Sequence, residues 1–272
     1  VFGCGKGVES TETMRSAGTP NASQTAYLVE TGKGVYQRYC IGCHGKAGDG
    51  KGAAAEMLLV KPRDFRQGTF KFRTTPTGSL PTDEDLYRTI TRGVRHTAMP
   101  AFLLLPESDR LAVIQYLKTF SDRWQRDQPQ PAIFVPEPPA VVGTLDSVKA
   151  GKKIWEMSQC WQCHGKTGHG DGPASANLTD DWGNPIPAFD FTQGALKGGP
   201  GVSDIYRTFT TGLNGTPMPS YAGFLAEEDR WNLVSFTLYL MNRTTLTDDE
   251  KAAVEAYDPL AETTASATAP AK

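Results

Sequence analysis

Cys40-Ile41-Gly42-Cys43-His44 is matched in type, 120 residues later, by Cys160-Trp161-Gln162-Cys163-His164. A Cys-x-x-Cys-His pentad is an attachment signature for covalently bound haem: both thiols become thioethers, and the imidazole supplies one axial ligand to the iron. The two pentads use four of the five cysteines in the chain and so predict two haems c. Zinc sites, dithiol redox pairs and small disulfides are weaker readings. Zinc needs a compact set of four ligands, whereas these Cys-Cys-His groups lie in separate stretches. A thioredoxin-like pair needs a strand-to-helix junction, and the flanking sequence has no α/β pattern.

The pentads sit inside a longer duplication. The run Gly32 to Cys40 matches Gly151 to Cys160, with one extra residue before the second Cys. Asp85-Leu-Tyr-Arg-Thr matches Asp204-Ile-Tyr-Arg-Thr, Thr97-Ala-Met99-Pro matches Thr216-Pro-Met218-Pro, and Glu107-Ser-Asp-Arg matches Glu227-Glu-Asp-Arg. Two all-α domains in tandem are predicted, at 25–125 and 144–245. A tether at 1–24 precedes them, a Pro-rich linker at 126–143 joins them, and a tail at 246–272 follows; its Ala/Thr-rich end from about 260 is expected to be disordered.

Within each repeat, a first helix runs toward the Cys pair. A second begins at Thr82 or Ser203, whose hydroxyls suit an N-cap, and ends at Gly93 or Gly212. A last helix over about 107–121 and 227–242 carries apolar residues at helical spacing, such as Val113, Leu117, Leu233 and Phe236, so one face is expected to be buried. Gly- and Pro-rich stretches between the pentad and the later helices read as loops, which a domain wrapped around a flat cofactor needs. Hydrophobic residues make up 39% of the chain, a low share that a haem filling each core would help to explain. No stretch approaches the roughly 20 apolar residues of a membrane span.

Residues 25–125 hold 15 Lys+Arg against 10 Asp+Glu, and residues 144–245 hold 8 against 10. The basic excess clusters at Lys61, Arg63, Arg66, Lys71 and Arg73, which reads either as a solvated face or as a docking patch for an acidic partner. Nucleic-acid binding is disfavoured, because aromatic platforms and an overall basic balance are missing.

The proximal iron ligands are His44 and His164. Of six methionines, Met99 and Met218 occupy matching repeat positions, each followed by Pro, 55 and 54 residues after the proximal His. They are the expected sixth ligands. His96 has no counterpart in the second repeat, and His169 is too close to its own pentad to reach across the haem; both are expected to be surface or supporting groups. His/Met ligation raises the potential and leaves no open position for O₂ or peroxide, so the expected function is electron transfer without catalysis.

These residues, taken together, resemble class I cytochrome c twice over, across about 200 of 272 residues. Pro62-Arg-Asp-Phe, Asp204-Ile-Tyr-Arg-Thr-Phe and Gly215-Thr-Pro-Met-Pro-Ser-Tyr resemble dihaem cytochromes c of bacterial respiratory chains. That resemblance implies redox protein partners: a membrane quinol- or substrate-oxidising complex and a terminal acceptor. It also implies a proline carbonyl orienting the proximal imidazole, a role open to Pro173 in the second repeat and without a matching Pro in the first. Thioether attachment implies the periplasm or the outer face of the cytoplasmic membrane. Val1-Phe-Gly-Cys4 resembles the end of a lipoprotein signal, which makes Cys4 a candidate for lipidation. The rival readings are a dihaem oxidoreductase, either a peroxidase or a sulfur-compound dehydrogenase, which needs one open or labile iron, and a structural subunit of a multi-haem assembly.

Overall fold

The computed structural model describes residues 21–261, so Cys4 and most of the predicted tether lie outside the described residues. Among those described, the chain is helical, and the only β pairings are two isolated bridges. The helices are α1 (Ala22–Tyr39), α2 (Ile41–His44), α3 (Asp83–Arg92), α4 (Glu107–Lys118), α5 (Arg123–Arg126), α6 (Leu145–Met157), α7 (Trp161–His164), α8 (Val202–Thr211), α9 (Glu227–Leu240) and α10 (Asp248–Ala256). Short 3₁₀ turns lie at Ala55–Met57, Ser175–Asn177 and Phe191–Gln193. No described helix is long and apolar enough to cross a membrane.

The chain divides into two compact units, 21–73 with 80–130, and 74–79 with 131–261. The first core gathers Val35, Tyr36, Phe65, Phe70, Leu86, Ile90, Val113, Ile114 and Leu117. In this unit α1 packs against α4. Gly32 makes the close approach possible, because a Cβ there would run into the Ala112 carbonyl. In the second unit α6 packs on α9 in the same way, and a Cβ on Gly151 would meet the Asn232 carbonyl. The repeated glycine therefore marks a tight helix crossing.

Other repeated phrases turn out to be structural fasteners. Asp85 pairs with Arg88 at 2.6 Å, and Asp204 with Arg207 at 2.7 Å. The Glu-x-Asp-Arg arginines stack on the tyrosines of α3 and α8: Arg110 lies 4.8 Å from the Tyr87 ring centroid and Arg230 lies 5.0 Å from that of Tyr206, within cation–π range.

The structure corrects the sequence reading at several points. Thr82 caps α3 as expected, in a capping box with Asp85. Ser203, however, lies inside α8, whose N-cap is Gly201; there the Asp204 carboxylate accepts from the Gly201 N–H at 3.0 Å. The later part of the expected linker belongs to the second unit, with Val135 and Val142 packed on its core and the Gly143 N–H donating to Ser235 Oγ at 3.1 Å. Residues 74–79, expected in the first domain, also group with that unit, in which the Thr77 hydroxyl donates to the Thr211 carbonyl at 2.7 Å.

The tail expected from 246 instead carries α10, with Val254 buried within the helix and Leu246 buried just ahead of it. Lys152 holds the end of this helix by donating to the carbonyls of Val254, Glu255 and Tyr257 at 2.7–3.3 Å. α9 is buried from Trp231 through Leu238 rather than along one face. Its polar residues are matched inside that core: Ser147 Oγ lies 2.8 Å from Asn232 Oδ1 and 2.7 Å from Ser235 Oγ.

Candidate haem centres

Each pentad forms a single helical turn, α2 or α7, packed beside a 3₁₀ turn that follows it. In the first, the Cys40 N–H donates to the Tyr36 carbonyl at 2.9 Å. The extra residue of the second repeat is absorbed at Gln159, which takes a left-handed φ of 55°. Such a conformation costs a non-glycine residue about 1 kcal/mol. It lets the Cys160 N–H reach the Trp155 carbonyl at 3.0 Å, the bond that Cys40 makes to Tyr36. The altered register is thus confined to one residue, and both Cys pairs enter their sites alike.

The imidazoles are held by backbone carbonyls. His44 Nδ1–H donates to the Arg63 carbonyl at 3.1 Å, and His164 Nδ1–H donates to the Phe189 carbonyl at 3.2 Å. A carbonyl can only accept, so the proton sits on Nδ1 and the Nε2 lone pair is left for a metal. Phe65 stacks on His44 with centroids 4.5 Å apart, and Phe191 lies 4.8 Å from His164. Burial pulls both imidazoles below the ordinary histidine range, which keeps them neutral.

The orienting carbonyl in the second repeat therefore belongs to Phe189, where the resemblance pointed to Pro173, and the first repeat has its own in Arg63. The signal for it was the Asp-Phe pair, Asp64-Phe65 and Asp190-Phe191. In each repeat the residue before Asp supplies the carbonyl and the Phe supplies the ring.

Met99 and Met218 sit in loops with the same bonding. The Val94 N–H donates to the Met99 carbonyl and the Leu213 N–H to the Met218 carbonyl, both at 3.1 Å. Thr97 and Thr216 each donate a hydroxyl to the carbonyl that opens the loop, at 2.7 and 2.8 Å, and each hydroxyl accepts from the methionine N–H at 3.2 Å. Met99 packs on the core that contains Phe65, together with Cys40; Met218 packs on the core that contains Phe191, together with Cys160. His96 and His169 are exposed, and His169 lies 3.7 Å from Asp190.

The basic cluster is less of a surface than its sequence implied. Arg73 is only 1% exposed, and burial pushes its guanidinium down to about 10. Lys61 donates to the carbonyls of Ala55 and Glu56, and Arg66 pairs with Asp64 at 2.7 Å.

A cytochrome c family model matches residues 148–241, and a model described as cytochrome c oxidase, cbb3-type, subunit III, matches residues 28–117. Among solved structures, a chain of the Kuenenia stuttgartiensis reducing HAO-like protein complex Kustc0457/Kustc0458 is 48% identical, over 78% of this chain and 96% of that one, with a TM-score of 0.76. The chain is a dihaem cytochrome c. No curated protein sequence matches it at a significant level.

Cytochrome c domains carry covalent haem c, and the donor sets of this cytochrome suit that group. Cys40, Cys43, Cys160 and Cys163 are free of disulfides. Burial pushes the Cys40 and Cys160 thiols up to about 11, so they are held as neutral thiols beside a neutral imidazole. Each pentad thus presents two thiols and an Nε2 lone pair from one short helical turn and its N-cap.

Proposed function

We propose that the cytochrome is a two-station electron carrier. In the first domain, thioethers to Cys40 and Cys43 hold a haem whose iron takes His44 and Met99. In the second, Cys160 and Cys163 hold a haem whose iron takes His164 and Met218. The observation that carries this reading is the repeated methionine loop, bonded identically in both domains by Thr97 and Thr216. A bound haem would supply a one-electron iron couple, and the thioether ligand would favour its ferrous state. The work of the chain is to keep each ligand in place between oxidation states, through the Arg63 and Phe189 carbonyls on one side and the threonine-braced loops on the other.

The cytochrome acts as a redox subunit beside protein partners, one of them a membrane respiratory complex. The 48% identical chain supports this reading, since it comes from a multi-protein complex. Thioether attachment supports a place in the periplasm or at the outer face of the cytoplasmic membrane.

Ferric near-infrared absorption of the haem-loaded protein tests the ligand assignment. The methionine-to-iron band is expected for two haems; Met99→His and Met218→His should each remove half of it and lower one midpoint potential. Rapid CO binding to the ferrous wild type, or a band from one haem only, would overturn the double His/Met assignment and favour the oxidoreductase reading.

A further inference from the structure

The two methionine loops differ in what holds them from outside. Thr211 is the last residue of α8, so its carbonyl has no partner within the helix; it accepts instead from the Thr77 hydroxyl at 2.7 Å. Three residues on, the Asn214 side-chain oxygen accepts from the Gly78 N–H at 3.3 Å. Both acceptors lie at the start of the loop that carries Met218. The donors belong to a preshaped strap, 74–79, of the same unit. Within it the Ser79 N–H closes a turn on the Pro76 carbonyl at 3.1 Å. Gly78, with a φ of 80°, takes the third position, where a turn of this kind needs a left-handed residue. The other end of the strap is fixed as well, because the Ile133 N–H donates to the Thr74 carbonyl at 2.8 Å. In the first domain the repeat puts Arg92 and Arg95 where the second has Thr211 and Asn214. Thr211 is 2% exposed, whereas both arginines are exposed, and among the described residues no hydrogen bond from another segment reaches either.

We propose that Thr77 is a positioning residue for Met218: the strap 74–79 resists displacement of the second haem's methionine, so the first haem is the one whose methionine yields to an added ligand. This inference rests on the His/Met assignments made above. Each loop is tied within itself, by the Val94 to Met99 or Leu213 to Met218 bond and by its threonine, and so moves as one piece. Gly212 also packs so closely on Pro219 and Ser220 that a Cβ there would overlap them, which joins the start of the loop to the stretch just past Met218. Swinging Met218 away from an iron therefore pulls on Thr211 and Asn214 and strains the two bonds from the strap. The cost of losing those bonds falls on the displaced state. The first loop has the same internal ties, but Arg92 and Arg95 can move with it.

The test is the rate at which cyanide removes the near-infrared methionine band from the ferric, haem-loaded full chain. In each exchange the methionine sulfur leaves with its electron pair and the cyanide carbon donates one, so the iron stays ferric. Met218→His leaves only the first haem's band to be followed, and Met99→His only the second's. The second band should be lost more slowly than the first. Thr77→Val, which keeps the shape but not the hydroxyl, should speed loss of the second band by about twofold to fivefold, the worth of one partly exposed hydrogen bond. The first band should keep its rate. Thr77→Ser, which retains the hydroxyl, should behave as the wild type does. Equal rates for the two bands without the Thr77 change, an unmoved second rate in Thr77→Val, or an equal rise at both haems would each overturn the proposal. A Thr77→Ser variant as fast as Thr77→Val would assign the effect to side-chain packing and overturn it too. Absence of the methionine band in the wild type would instead overturn the ligand reading beneath it.

Discussion

The two domains share the bonding around each pentad and each methionine loop and differ in what surrounds them. Both bring the pentad helix in through a glycine crossing, at Gly32 and Gly151. Both tie the imidazole to the carbonyl before an Asp-Phe pair, and both brace the methionine with a threonine. Around these fixed points the second domain has a tryptophan at 155 where the first has Tyr36. Tyr36 donates its hydroxyl to the Gly45 carbonyl at 2.7 Å, whereas the buried Trp155 Nε1–H has no hydrogen-bond partner among the described residues. The second domain also wraps itself in residues from both of its flanks. The repeat keeps the imidazole and methionine-loop bonding alike in both domains, while the residues around it differ.

The shared part of this comparison breaks most visibly at the helix crossing. Gly32→Ala and Gly151→Ala each force a methyl group onto a backbone carbonyl that cannot yield without moving a helix. Each should cost about 3 kcal/mol, the upper range for overpacking, and the two costs should match. Urea unfolding of the haem-loaded protein measures both. A small loss at one site alone would show that the two crossings are not equivalent.

Next in size is a difference between matched lysines. Lys33 and Lys152 follow the crossing glycines, yet Lys33 makes an exposed 3.6 Å pair with Glu30 while Lys152 binds three carbonyls at the end of α10. Lys152→Met should release α10 at a cost of about 2 kcal/mol, as expected for charge-assisted bonds, whereas Lys33→Met should cost under about 0.5 kcal/mol. Amide hydrogen exchange over 248–256 should rise by about thirtyfold in the first variant and stay unchanged in the second.

The threonine brace should give a smaller, symmetric effect. Thr97→Val and Thr216→Val each remove one bond donated and one accepted, and should cost about 1 kcal/mol apiece. Each should also weaken the near-infrared methionine band of its own haem alone. If either variant disturbed both bands, the independence of the two sites would fail.

What was legible in the sequence was local. The pentads, the Met-Pro loops, the Thr82 cap and the glycine that ends each second helix all act within a few residues of where they are written. The carbonyls of Arg63 and Phe189 were not read, because a backbone acceptor has no residue type; only the repeated Asp-Phe beside it betrays it. The burial of α9 on all sides was not read either. The core it joins also draws on Val135 and Val142 before it and on Leu246 and Val254 after it, and the first of these flanks is a Pro-rich stretch without an amphipathic period to announce a buried face. Single-residue capping was ambiguous where two groups could cap: Ser203 has the preferred hydroxyl, but the extended Gly201 and the Asp204 carboxylate fill the role.

The smallest difference lies at the Asp-Phe pairs themselves, where the same carboxylate meets different partners. Asp64 is buried, which alone would raise its pKa, but the hydrogen bonds and charge of Arg66 outweigh that and hold it below the usual carboxylate range. Asp190 is also held low, chiefly by the Thr192 hydroxyl, with His169 contributing least. A carboxyl depressed in the folded state adds stability that is complete above its unfolded pKa and is lost as pH falls through its folded pKa. Arg66→Gln should therefore cost most near neutral pH, where Arg66 and Asp64 are both charged, and progressively less below about pH 4. Because the arginine side chain is 51% exposed, solvent screening keeps the loss under about 1 kcal/mol. His169→Gln should cost less still, since this exposed pair is 3.7 Å apart and His169 contributes least to holding Asp190 low. Urea unfolding of both variants between pH 3 and pH 7 would measure the contrast, and equal losses at pH 7 would mean that the two carboxylates depend on their partners alike.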